Sequence, residues 1–192
     1  MLLQEQAVLP EVFTVSAQDE AGAEQAVDHL VELGHRRLAF LYGEPLWPGP
    51  ERRREGFRAA VARAGVEGAE WAASAYTAAA SRAGVARELA GPGAPTGILA
   101  ANDVMAMGVI QQATELGLDV PRDLSVVGFN DFDFASWIRP AITTVRIPGA
   151  QMGARAVQLL VDAIESERAV ESAAFQVELV VRESTGPAPR RP

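Results

Sequence analysis

Apolar and polar residues follow two different periods along this chain. Ala23, Val27, Leu30 and Val31 recur at helical spacing and predict an amphipathic helix, with Gly34 as its stop. Residues 37–42 form a dense apolar run that reads as a buried strand. A Pro/Gly loop over 43–50 separates it from a helix near 52–64, stopped by Gly65. The same reading gives strands at 12–15, 71–75, 96–100, 125–129 and 175–181, and a short extended segment at 142–145 after Pro140. Helices fall near 79–89, 104–116 and 151–165. The last of these carries Met152, Ala156, Leu159, Leu160 and Ala163 on one face. Residues 91–95 form a Gly/Pro turn, and the Pro/Arg tail over 186–192 is expected to be disordered. Strands alternating with helices predict an α/β fold with a doubly wound, mostly parallel sheet.

In such a sheet, right-handed crossovers bring the loops after the strands to one edge, and ligands bind there. Three of these loops carry polar side chains: Trp47 with Arg52–Arg54, then Asn102 and Asp103, then Asn130, Asp131 and Asp133. Amide and carboxylate oxygens accept from hydroxyls, Arg donates in a fork, and an aromatic ring covers an apolar sugar face. The set suits a small polyhydroxylated ligand. Each residue also has a plain scaffold role. Asn102 or Asp103 can cap its helix, and Asn130 and Asp131 can serve a turn. Trp47 can pack, and at most one or two of the arginines should point inward. His29 and His35 read as structural. Asp131 and Asp133 lack the glycine-centred loop or distant Glu of a metal site, and no cofactor is expected.

The chain has 192 residues, 48% of them hydrophobic, enough for one ordinary domain or two small lobes. No run approaches the roughly 18 apolar residues of a membrane span. Residues 1–6 show no basic segment or apolar core of a secretory signal, and cysteine is absent. A cytoplasmic protein with no membrane partner is expected. The formal charge of -8 makes this chain a poor ligand for nucleic acid. There is no lysine, no glycine-rich phosphate loop, no G-x-S-x-G and no H-E-x-x-H, so an enzyme is not expected.

Six segments together resemble the LacI/GalR transcriptional regulators. Residues 29–40 (HLVELGHRRLAF) are similar to that family's HL-x-x-LGHRRIA segment, and 53–57 (RREGF) to R-x-x-GF. Residues 95–106 (PTGILAANDVMA) resemble PTA-x-x-x-x-ND-x-MA, and 120–131 (VPRDLSVVGFND) resemble VP-x-D-x-SVVGFDD. Residues 140–145 (PAITTV) resemble PPLTTV, and 182–185 (REST) resemble R-x-ST. The order and spacing hold over residues 12–185.

The resemblance implies the C-terminal part of a two-lobed, periplasmic-binding-protein-like effector core, with the second lobe incomplete and no helix-turn-helix headpiece. It maps residues 1–19 to the end of the N-terminal lobe and its crossover, and 20–139 to the C-terminal effector-binding lobe. Residues 140–169 become a crossover and a helix of the N-terminal lobe, 170–185 the final strand of the C-terminal lobe, and 186–192 a tail. The apolar face of the helix after Pro148 would then need another cover, such as a second chain. The family's effector contacts fall on Arg53, Asn102 and Asn130, with Trp47 bordering the pocket and Asp103 and Asp131 beside them. Asn130 stands where the family usually has Asp, and Ile147 where it often has Gln. The implied function is allosteric: a small-molecule effector, a sugar or similar metabolite, controls DNA binding by a homodimer through a headpiece outside this chain. A sugar-binding protein of a transport system is the alternative.

Overall fold

The computed structural model describes residues 13–44, 47–165 and 171–189, together with the backbone of Leu2–Leu3. The chain runs β1 (Leu2–Leu3), β2 (Thr14–Ala17), α1 (Asp19–Glu32), β3 (Arg37–Gly43), α2 (Pro48–Ala64), β4 (Glu67–Ala73), α3 (Ala78–Ala90) and β5 (Gly97–Ala100). It continues through α4 (Asp103–Glu115), β6 (Ser125–Asn130), α5 (Phe134–Trp137), β7 (Thr143–Arg146), α6 (Gly149–Glu165), β8 (Ala173–Phe175) and β9 (Glu178–Val180).

Two sheets result. The larger has the order β4-β3-β5-β6-β7-β9 and is parallel except for β9, which runs antiparallel to β7. The smaller, β1-β2-β8, is parallel, and α6 packs against β2. The chain moves outward from β3 to β4, then back past β3 to β5. Right-handed crossovers therefore place α2 on one face and α3 and α4 on the other. The reversal makes the carboxyl ends of β3 and β5 a topological switch point, where open α/β sheets leave a crevice.

The core is the middle of the larger sheet. Leu38–Leu41, Ile98–Ala101, Val126, Val127 and Phe129 are buried, as near-continuous apolar runs in a doubly covered parallel sheet should be. Two glycines set the helix spacing. A Cβ on Gly56 would lie 2.3 Å from the Glu20 carbonyl oxygen, and one on Gly108 would lie 2.4 Å from that of Ala78. α1 thus meets α2, and α3 meets α4, at backbone distance.

Several expectations are corrected. The second helix starts at Pro48, not Arg52, because proline's fixed φ suits the first helical turn. The strand expected over 71–75 is β4, starting at Glu67; its polar residues lie on the outermost strand of the sheet, where they meet solvent. The segment at 142–145 is not crossover but β7, an internal strand paired with β6 and β9. The expected strand over 175–181 divides into β8 and β9, one in each sheet. Between them the buried Val177 turns toward α1, where a Cβ on Gly22 would lie 2.8 Å from its Cγ2. Of the expected disordered tail, residues 186–189 are ordered. Gly186 donates to Ser125 Oγ at 3.0 Å, and Ala188 N–H to the Leu33 carbonyl at 2.8 Å. Residues 190–192, and Val12 of the first expected strand, lie outside the described residues.

Candidate functional site

Arg53 organises the carboxyl-end rim. It points inward from the second turn of α2 and is 4% exposed. Its Nε donates to Asp19 Oδ1 at 2.7 Å, and its Nη1 to the Ala101 carbonyl at 2.5 Å. Its Cζ lies 3.9 Å from the centroid of the Phe129 ring. Ala101 immediately precedes Asn102, and Phe129 immediately precedes Asn130. One guanidinium therefore touches the strand ends that deliver both asparagines. Nη2 has no hydrogen-bond acceptor among the described residues and lies beside Gly49. Burial pulls the Arg53 pKa down, and Asp19 opposes this. Of the three adjacent arginines, Arg53 alone is buried. Arg52 also reaches Asp19, at 3.2 Å, and Arg54 pairs with Glu70 at 2.5 Å.

Asn102 is the cap of α4: its Oδ1 accepts from the Met105 N–H at 2.8 Å. Asp103, considered above as a cap or a contact residue, is neither a cap nor exposed. It is fully buried, and its two oxygens accept from the Phe132 N–H at 2.8 Å and the Thr144 hydroxyl at 2.5 Å. Asn130 and Asp131 form a turn with positive φ, 104° and 60°. The half-buried Asn130 side chain has no hydrogen bond among the described residues, whereas Asp131 is held by Arg146 at 2.7 Å and Arg182 at 2.6 Å. Trp47 precedes the first turn of α2 with 55% of its surface exposed.

Two participants were missed by sequence reasoning. Asp19, the buried counter-ion of Arg53, opens α1, and nothing local distinguishes it from an ordinary acidic residue in a first helical turn. Tyr76 follows β4; its hydroxyl is buried beside the Trp47 backbone, and its ring leaves no room for a Cβ on Gly43 at the end of β3. An aromatic residue in a loop after a strand was the available signal. Beside Asp19 and Arg52, a groove of about 410 Å³ runs to Ser16 and Gln18 and reaches Ala174 of the smaller sheet. A larger recess of about 460 Å³, between Arg37, Trp71 and Arg87, shares no residue with this rim. That recess is also lined by charged side chains, Arg37, Glu67, Arg87 and Glu88, whereas the rim at the switch point carries the buried Arg53–Asp19 pair.

Residues 27–185 match the family model of the periplasmic binding protein-like domain. This chain belongs to that family, in its LacI/GalR branch. Among curated relatives, the HTH-type transcriptional regulator reg1 of Streptomyces lividans is 40% identical over 183 residues, covering 91% of this chain and 52% of the relative. The chain thus spans about half the length of that relative. Among solved structures, a LacI family regulator of Enterococcus faecium with bound ribose superimposes with a TM-score of 0.89 at 27% identity, over 96% of this chain and 69% of that one. A dimeric Lac repressor with a C-terminal deletion gives 0.88 at 29% identity, over 98% and 68%. Both matches extend the LacI-family fold over nearly the whole chain. Among the described residues no helix is long and apolar enough to cross a membrane.

Proposed function

We propose that this chain is the ligand-sensing part of a cytoplasmic LacI/GalR-type regulator whose effector is a sugar or a similar small hydroxyl-bearing metabolite. The observation that carries this reading is the Arg53 guanidinium, bonded to Asp19 and Ala101 and stacked on Phe129, at the switch point of the sheet. Nη2 of Arg53, the side-chain amides of Asn102 and Asn130 and the hydroxyl of Tyr76 offer donors and acceptors to ligand hydroxyls. Trp47 offers an exposed ring for an apolar sugar face. The paired arginine keeps its charge at the rim, and the amide at position 130, unlike a carboxylate, can both donate and accept. The ribose bound by the Enterococcus relative supports a sugar.

Signalling follows from having two sheets. A ligand held at the rim of the larger sheet and contacted by a second lobe stabilises one relative angle of the two, and a homodimer transmits that angle to DNA-binding headpieces. The test is a thermal-shift screen of mono- and disaccharides on the full-length regulator, followed by calorimetry. Arg53→Ala and Asn102→Ala should each weaken binding of the hit about tenfold or more, as expected when a buried hydrogen-bonding group is lost. Unchanged affinity in both variants would overturn the site. In a gel shift this chain alone should show no preference for an operator sequence.

A further inference from the structure

Asn130 and Asp131 are consecutive residues with positive φ, a region that asparagine and aspartate enter more readily than other side-chain-bearing residues but usually singly, so a run of two calls for support from its surroundings. The holding group comes from a different crossover. Asp103 Oδ2 accepts from the Phe132 N–H at 2.8 Å, and Oδ1 accepts from the Thr144 hydroxyl of β7 at 2.5 Å. One carboxylate thereby joins the start of α4, the loop after β6 and the adjacent strand. Gly128 fixes it in place: a Cβ there would lie 2.3 Å from Oδ1.

We propose that Asp103 is the positioning residue of the candidate ligand site: without touching the ligand, its carboxylate fixes the loop that presents Asn130. The assignment rests on the sensing role proposed above. A carboxylate suits the task because it only accepts, and two donors converge on it from separate elements. Placing it there is costly. Burial pushes its pKa up to about 6, with the Asp131 carboxylate adding to the rise, while Thr144 and Phe132 oppose it. The charged groups facing it are Asp131, itself held by Arg146 of β7 and by Arg182, and Arg53 of α2. When Asp103 is protonated, one oxygen becomes a donor. Thr144 can turn to accept it; the Phe132 N–H cannot turn.

Amide exchange over residues 130–134, corrected for intrinsic rates, tests this without needing a ligand. At about pH 7.5 the wild-type amides should be protected about tenfold or more above a variant that lacks the charged acceptor. Asp103→Asn should show that low protection, with the amides of β3 and α4 unchanged. Thr144→Val, nearly isosteric, removes one of the two partners that hold the carboxylate and should lower protection at 130–134 by a smaller factor. Unchanged exchange at 130–134 in Asp103→Asn overturns the proposal. The sugar screen, run in parallel, separates the two readings: a loop that responds in a protein that binds no sugar sinks the sensing role and leaves the loop assignment standing.

Discussion

Arg53 donates to Asp19 at 2.7 Å with both side chains almost fully buried, 5% and 1% exposed. Removing one member of such a pair leaves an uncompensated charge, and the two removals are not equivalent. Asp19→Ala strands Arg53, and should cost about 3–5 kcal/mol. Arg53→Met leaves Asp19 with Arg52, at 3.2 Å, so its cost should be smaller. Urea unfolding of both variants checks the ranking. An Arg53→Met variant less stable than Asp19→Ala would show that Arg52 does not compensate.

Gly56 is what lets that ion pair form. It faces the Glu20 backbone, one residue after Asp19, and a Cβ there would meet backbone oxygen at 2.3 Å. The obstacle is main chain, so no side chain can swing aside. Gly56→Ala should force α1 and α2 apart and destabilise the protein by about 1–3 kcal/mol or more, despite alanine's better helix propensity. Gly65→Ala is an informative contrast: nothing lies within 4 Å of its Cβ position, and its cost should come only from its positive φ of 64°. Thermal unfolding separates the two, with the larger loss expected for Gly56→Ala.

Asn102 caps α4 and is the proposed ligand contact, and substitutions can separate the roles. Its Oδ1 satisfies the Met105 N–H. Asn102→Ala should cost about 1 kcal/mol of stability, the usual value of a lost cap. Asn102→Asp keeps an acceptor at that position and should retain stability, while losing the amide N–H₂ that a ligand oxygen would accept from. Denaturant unfolding and sugar calorimetry on the two variants should therefore diverge: Asp stable but weakened in binding, Ala weakened in both. Full affinity in Asn102→Asp would confine this residue to its helix.

The switch point was legible in the sequence because it depends on periodicity. Apolar runs at 37–42, 96–100 and 125–129 gave three buried strands, and the polar residues after them could only lie at their carboxyl ends. The family match over 27–185 bears out the fold read from those runs. What remained hidden was long-range. Asp19 lies 34 residues from Arg53, and Asp103 is 41 residues from Thr144. A carboxylate's partner depends on how elements pack, which local pattern does not encode. The division of 175–181 into two strands was hidden for the same reason: both halves are β-rich, and only the gap between the sheets separates them. The ordered 186–189 segment looked like a free tail because its anchor, His35, is distant in sequence.

That anchor makes a pH prediction. His35 is fully buried, with Nδ1 2.8 Å from the Thr96 hydroxyl and Nε2 3.1 Å from the Gly186 carbonyl. Nε2 also lies 3.0 Å from the Ser125 hydroxyl; a proton on Nε2 serves the carbonyl, which only accepts, and leaves Nδ1 to accept from Thr96. This neutral ring holds the carboxyl-terminal segment against β5 and β6. Burial lowers its pKa from the ordinary value, with the Gly186 bond opposing and His29 and Arg36 adding to the fall. A depressed histidine pKa means the unfolded chain binds the proton more readily. The stabilising contribution is therefore present above the unfolded value of about 6.5, and is lost as pH falls below it toward the folded pKa. Asp103 acts oppositely: its raised pKa makes the folded chain take up a proton between about 6 and the ordinary value near 3.8, which favours folding as pH falls. Whole-protein stability mixes the two, so the informative quantity is a difference. His35→Gln keeps a donor and an acceptor but does not titrate. The gap in urea midpoint between wild type and His35→Gln should be widest near about pH 7.5 and should shrink toward about pH 5. A gap independent of pH would mean that the His35 ring does not titrate differently in the folded and unfolded chains.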